Sequence, residues 1–229
     1  MAATCPICEK RRAKRLCPGL PRSRWSGGAT QSICAQCCGE QREVAIDCPA
    51  DCSYLMAAHR YEGERPREGQ PKKPEDMPFH KVVVERRFLE EQQPLLVGLS
   101  LFLVRLAREQ ADVRDPEVLS ALDALAQSFQ TLESGLYYEQ AAASPAAQRV
   151  AAAVRQWLEQ FSQEQQQQQL GASLRPGDAL RALVFLRRLG QMETNGRLLS
   201  RRFIEFMRGQ LPAGAVEPTE APRLIVPGA

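Results

Sequence analysis

Eight cysteines, Cys5, Cys8, Cys17, Cys34, Cys37, Cys38, Cys48 and Cys52, lie in the first 52 positions, and the rest of the 229-residue chain holds none. Cys5-Pro6-Ile7-Cys8 is a two-residue knuckle, and Cys34-Ala35-Gln36-Cys37 is a second. A thiolate pair at that spacing can chelate one tetrahedral ion, because the turn aims both sulfurs at a centre about 2.3 Å away. Cys48 and Cys52 stand four positions apart, so the second can start a helix continuing through Tyr54, Leu55, Met56 and Ala57. Eight thiolates suit two four-coordinate ions. Zinc is the expected metal, since all-cysteine zinc sites are structural and redox-silent.

Four ligands per ion can be divided as neighbours or interleaved. Adjacent side chains such as Cys37 and Cys38 diverge, and so serve two ions more easily than one. That assigns Cys5, Cys8, Cys34 and Cys37 to a first site and Cys17, Cys38, Cys48 and Cys52 to a second. The chain would then alternate between two ions in a cross-brace. A thiol cluster in an oxidising compartment would imply disulfides instead. The N-terminus, however, runs directly into Lys10-Arg11-Arg12-Ala13-Lys14-Arg15 with no apolar leader. The expectation is a cytoplasmic protein with reduced cysteines. The most apolar run, Leu95 to Val104, is about half of the ~20 residues that span a bilayer, so no membrane partner is expected.

Cys5-x2-Cys8, Cys17-Pro18, Ile33-Cys34-x3-Cys38 and Cys48-x3-Cys52 together resemble the HIT and MYND type of cross-braced zinc finger over about 50 residues. The stretch is also similar to the cysteine-rich N-termini of uncharacterised bacterial proteins. Cys48 stands where those fingers usually carry histidine, and the interval from Cys17 to Cys34 is longer than theirs. The resemblance implies a protein-interaction module within a larger assembly.

The basic run, with Arg22, Arg24 and Trp25 beyond it, raises a second reading: a nucleic-acid-associated regulator using Arg11, Arg12, Lys14, Arg15, Arg22 and Arg24. Charge tempers it. The formal net charge is only +3, and two zinc ions on eight thiolates would lower it further. Nucleic-acid binders usually present a strongly basic stripe. A third reading is an iron–sulfur or redox protein, although one cluster would leave four cysteines without a role. Catalytic signatures such as a phosphate loop, a nucleophile elbow or a dinucleotide fingerprint are not found, so a non-enzymatic adaptor is expected. His59 and His80 are the only histidines, and His59 could substitute as a ligand.

These residues need a frame. Positions 1–61 make the Cys-rich module, and 62–78, with four prolines and two glycines, make a linker. Positions 79–211 read as an all-α bundle of five or six helices. One helix is expected from about Val82 to Gln93, a central apolar one over Leu95–Glu109, and one capped by Asp115 before Pro116. Val118, Leu122, Leu125, Phe129, Leu132 and Leu136 form its stripe. A further helix follows Ser144-Pro145 with Val150, Val154, Trp157 and Phe161 inward, its polar end fraying through Gln163–Gln169. Two more are expected at Asp178–Gln191 and Arg197–Gln210. Strands find almost no support. Positions 212–229 read as a disordered tail carrying Arg223-Leu224-Ile225-Val226-Pro227, which could bind a partner or a second copy of the chain.

Overall fold

In the computed structural model of the chain, residues 4–20, 32–64, 73–136, 138–167, 173–212 and 214–215 are described. Arg22, Arg24 and Trp25, residues 65–72 of the linker, Tyr137, Gln168, Gln169 and the apolar tail segment lie outside them. The element order is β1 (Arg15–Leu16), β2 (Ser32–Ile33), α1 (Ala35–Gln41), α2 (Ser53–Gly63), α3 (Arg86–Glu91), α4 (Gln93–Glu109), α5 (Asp115–Glu133), α6 (Pro145–Gln167), α7 (Pro176–Glu193) and α8 (Arg202–Gln210). A 3₁₀ turn at Pro74–Asp76 precedes α3. The fold is mostly helical with cysteines gathered near its N-terminus.

The prolines behave as the sequence implies. Pro94, Pro116 and Pro176 sit in the first turns of α4, α5 and α7, where the missing N–H has no intrahelical role. Ser144 caps α6, its Oγ accepting from Ala147 N at 3.1 Å. Leu95, Leu99 and Leu103 on α4, Leu122 and Leu125 on α5, Leu183 and Leu186 on α7 and Phe203 on α8 are fully buried in one core. Each such side chain contributes roughly 1.5–3 kcal/mol by leaving water. Helix α5 packs most extensively on α7 and then on α6, while α4 lies against α8 and α6. Gly190 on α7 makes room for Phe203, since a Cβ there would meet its ring at 3.0 Å.

Four boundaries differ from the expectation. Helix α3 begins at Arg86, so Val82–Val84 precede it. The α5 stripe stops early: Leu132 is partly exposed and Leu136 is 68% exposed, beyond the helix end. Gly135, at φ +80°, ends the helix in the left-handed region, with Leu136 N donating back to Thr131 O at 3.0 Å; this is a glycine C-cap. The glutamine run stays helical to Gln167. Helix α8 starts at Arg202 rather than Arg197, because Gly196 (φ +71°) turns the chain and frees residues 194–201 as a loop.

Asp115 is the first residue of α5 rather than its cap, which is Arg114. Its fully buried carboxylate caps α8 instead. It accepts from Phe203 N at 3.0 Å, Ile204 N at 3.2 Å, Ser200 Oγ at 2.8 Å and Thr194 Oγ1 at 3.2 Å. Burial pushes this carboxyl above its usual range despite the four donors.

Candidate metal centre

A short hairpin assembles Cys5, Cys8, Cys34 and Cys37. Arg15 pairs with Ile33 and Leu16 with Ser32 in an antiparallel ladder, extended by Lys14 N donating to Ile33 O at 3.0 Å. This pairing, which sequence reading did not foresee, brings the Cys5–Cys8 knuckle beside Cys34. The knuckle is closed by Cys5 N donating to Arg11 O (2.7 Å) and Glu9 N to Cys5 O (2.8 Å), with Glu9 in the left-handed region at φ +54°. Cys34 is the N-cap of α1 and its sulfur accepts from Cys37 N at 3.4 Å. One turn of that helix therefore fixes both ligands of the second knuckle.

The sulfurs of Cys5, Cys8, Cys34 and Cys37 all lie within 4.8 Å of one another. Cys8 Sγ and Cys34 Sγ are 3.9 Å apart, and a tetrahedral ion at ~2.3 Å from each sulfur would set them ~3.8 Å apart. The four side chains could therefore hold one metal ion. Cys5, Cys34 and Cys37 are buried, and Cys8 is half-buried. Backbone N–H groups of Lys10 and then Arg11 pull the Cys8 thiol down to about 6, and the Cys37 N–H lowers that of Cys34. Burial pushes Cys37 the other way.

The second expected quartet is not drawn together as tightly. Among the described residues, Cys5, Cys8, Cys34 and Cys37 alone form a group this close. Cys17, Cys38, Cys48 and Cys52 do share one neighbourhood. Burial raises the Cys17 thiol, and Cys38 and Cys52 add to the shift; burial likewise raises Cys48 to about 11, with Cys17 and Cys52 contributing. Cys38 is buried on α1, and Cys52 is the N-cap of α2, which runs to Gly63.

Two of the basic residues lie against the module itself. Arg11 is exposed, and the neighbouring Cys34 and Cys8 thiols favour its charged form and raise its pKa. Arg15 lies over the Tyr54 ring at 4.7 Å. Arg12 and Lys14 are exposed.

The residues that join this module to the helices carry no signal in the sequence. Glu43, between Cys38 and Cys48, is 2% exposed and sits in the left-handed region at φ +55°, a conformation that costs a non-glycine residue on the order of 1 kcal/mol. Its Oε2 lies 2.9 Å from His59 Nε2 and accepts from Asn195 Nδ2 at 2.8 Å, while its carbonyl accepts from Leu199 N at 2.8 Å. His59 is thus Glu43's partner. Burial works against ionisation of Glu43, but His59, Asn195 and Arg197 outweigh it and lower its pKa. The Arg197 guanidinium donates to Arg42 O at 2.6 Å and Gly39 O at 3.3 Å, and buried Arg114 donates to Asp47 at 2.7 Å. Glu62 on α2 faces Arg42, Arg202 and Arg197 at 3.0, 3.4 and 3.9 Å. Arg188 holds the end of the linker by donating to Pro78 O, Phe79 O and Val82 O. No described helix is long and apolar enough to cross a membrane.

No family model, curated protein or solved structure matches the chain. Its functional reading rests on these residues.

Proposed function

We propose that the chain is a non-enzymatic zinc-binding protein whose N-terminal module, cross-braced by two ions, presents a surface to a protein partner in the cytoplasm. One observation carries the metal reading: of the six buried residues in the module's own core, Cys5, Ile33, Cys34, Cys37, Cys38 and Ile46, four are cysteines. A segment this small with so few buried aliphatic side chains needs a staple to fold, and a structural zinc site contributes folding free energy on the order of 10 kcal/mol.

Zinc rather than an iron–sulfur cluster is supported by the close sulfurs, which leave room for a single ion and none for a cluster core. The second ion belongs to Cys17, Cys38, Cys48 and Cys52, whose thiols already influence one another. Four thiolates complete a tetrahedral shell and leave no position for a substrate or an activated water. This donor set favours a scaffold over a catalyst. Arg15, laid over the Tyr54 ring, and a formal net charge of only +3 favour a protein partner over phosphate contacts.

Elemental analysis of purified protein should return about two zinc ions per chain. Substantial iron, or a coloured preparation, would overturn the zinc assignment. Capture of partners from the native host at two salt concentrations then tests the rest. A protein partner retained at high salt supports the adaptor, whereas nucleic acid released steeply by salt replaces it with the regulator.

A further inference from the structure

The module's side of the junction comes mainly from one segment. Residues 39–47 supply Gly39 O, Arg42 O, Glu43 O and the carboxylates of Glu43 and Asp47. The segment is strung between Cys38 and Cys48, two ligands of the proposed second ion. Its turn is tied to itself, with Val44 N, Ala45 N and Ile46 N all donating to Gln41 O and Glu43 N to Ile46 O, and to α2 through Glu43–His59 and Arg42–Glu62. Ile46 is its buried apolar anchor, and it packs in the cluster made mostly of cysteines. The helical side is equally local, being the loop 194–201 with Arg114.

We propose that metal occupancy of the module and docking of this segment on the helices are thermodynamically coupled, so that the junction is a metal-sensitive latch. The inference rests on the metal-binding reading above. Bound metal fixes Cys38 and Cys48, and thereby presents three carbonyls and the left-handed Glu43 to Arg197, Leu199 and Asn195. Without metal the module lacks the burial to hold that turn, and the loop 194–201 loses its partners. Asn195 and Arg197 are thus positioning residues for a metal site they do not touch. Coupling of this kind is reciprocal: whatever factor metal adds to docking, docking adds to metal affinity.

Hydrogen exchange on the full chain reads the latch amide by amide. Leu199 N–H donates across the junction to Glu43 O, whereas Phe203 N–H donates to Asp115 within the helical core. Removing zinc with a chelator should speed exchange at Leu199 by about tenfold or more and leave Phe203 unchanged. In a competition titration with a zinc indicator, Arg197→Ala and Asn195→Ala should each weaken zinc binding by roughly tenfold. Arg149→Ala, which breaks a surface pair with Asp112, should not. If the wild-type protein retains no zinc, the metal reading falls and the latch with it. If zinc is retained but Leu199 exchanges equally in both states, the latch alone is overturned, and unaltered zinc affinity in both junction variants overturns it equally. The exchange comparison uses the wild-type chain, so it decides the matter even where a variant folds poorly.

Discussion

At the scale of single residues, the proposed division of the cysteines into two sets is one that substitution can test. Cys5→Ser removes a ligand from the cluster within 4.8 Å and should leave about one zinc ion per chain, measured by elemental analysis. Cys17→Ser should do the same through the other quartet, and the double variant should retain none. Loss of both ions from either single variant would mean that the sites fold only together. The gathering of Cys5, Cys8, Cys34 and Cys37 was legible because knuckle spacing is a local property, written within a few positions; the other quartet is not drawn within the same distance among the described residues. Glu43 was not legible. Arg42-Glu43-Val44 reads as a solvated loop, and nothing nearby in sequence signals a carboxylate 2% exposed whose partners are His59 and Asn195. Arg11 belongs in sequence to a basic run, yet it neighbours the Cys34 and Cys8 thiols, which raise its pKa. A cation beside thiolates and a cation beside phosphates have the same sequence appearance.

At the scale of elements, the starts of α5 and α6 were legible, whereas those of α3 and α8 and the end of α5 were not. Pro116 and Ser144-Pro145 announce first turns, but Gly135 is masked in sequence because the apolar stripe continues in register to Leu136. Its φ of +80° strains any residue with a Cβ, so Gly135→Ala should destabilise the protein by about 1 kcal/mol in a denaturant titration. An unchanged midpoint would mean the cap is not needed. Asp115 shows the other limit. A local rule made it the cap of its own helix, whereas folding gives it to α8, 88 residues along the chain at Phe203. Asp115→Ala strips buried N–H and hydroxyl donors of their acceptor and should cost about 2–3 kcal/mol. Its pKa is raised in the fold, so the native state holds this proton more tightly than the unfolded chain does. The resulting stabilisation is complete below the unfolded value, near pH 4, and is lost as pH rises through the folded value. Asp115→Asn cannot titrate. The stability gap between wild type and that variant should therefore narrow as pH rises from about 3 to 7 in parallel thermal melts.

At the scale of the whole molecule, composition separates a cysteine-rich segment from a helical one, and the chain stitches them together with polar bonds. Sequence shows the separation clearly, since proline, glycine and charge mark the stretch between. It hides the stitching, because Arg114, Asn195, Arg197 and Arg202 resemble ordinary surface residues until their partners Asp47, Glu43 and Glu62 are in place. The helices have an apolar core of their own, so a fragment of residues 79–211 should keep its helicity. It should nevertheless be less stable than the same helices in the full chain. Buried Arg114 would lose Asp47, and the 194–201 loop would lose every acceptor that residues 39–47 provide. Exposed ion pairs are worth little, but stripping one partner from a buried charge costs more, and a net loss of roughly 1–3 kcal/mol is expected. For a fragment of this size that lowers the melting temperature by about 5–10 °C, measured by circular dichroism against the zinc-loaded full chain. A fragment melting at the same temperature would reduce the junction to a tether. A fragment with no helix at all would show that module and helices fold only as one body.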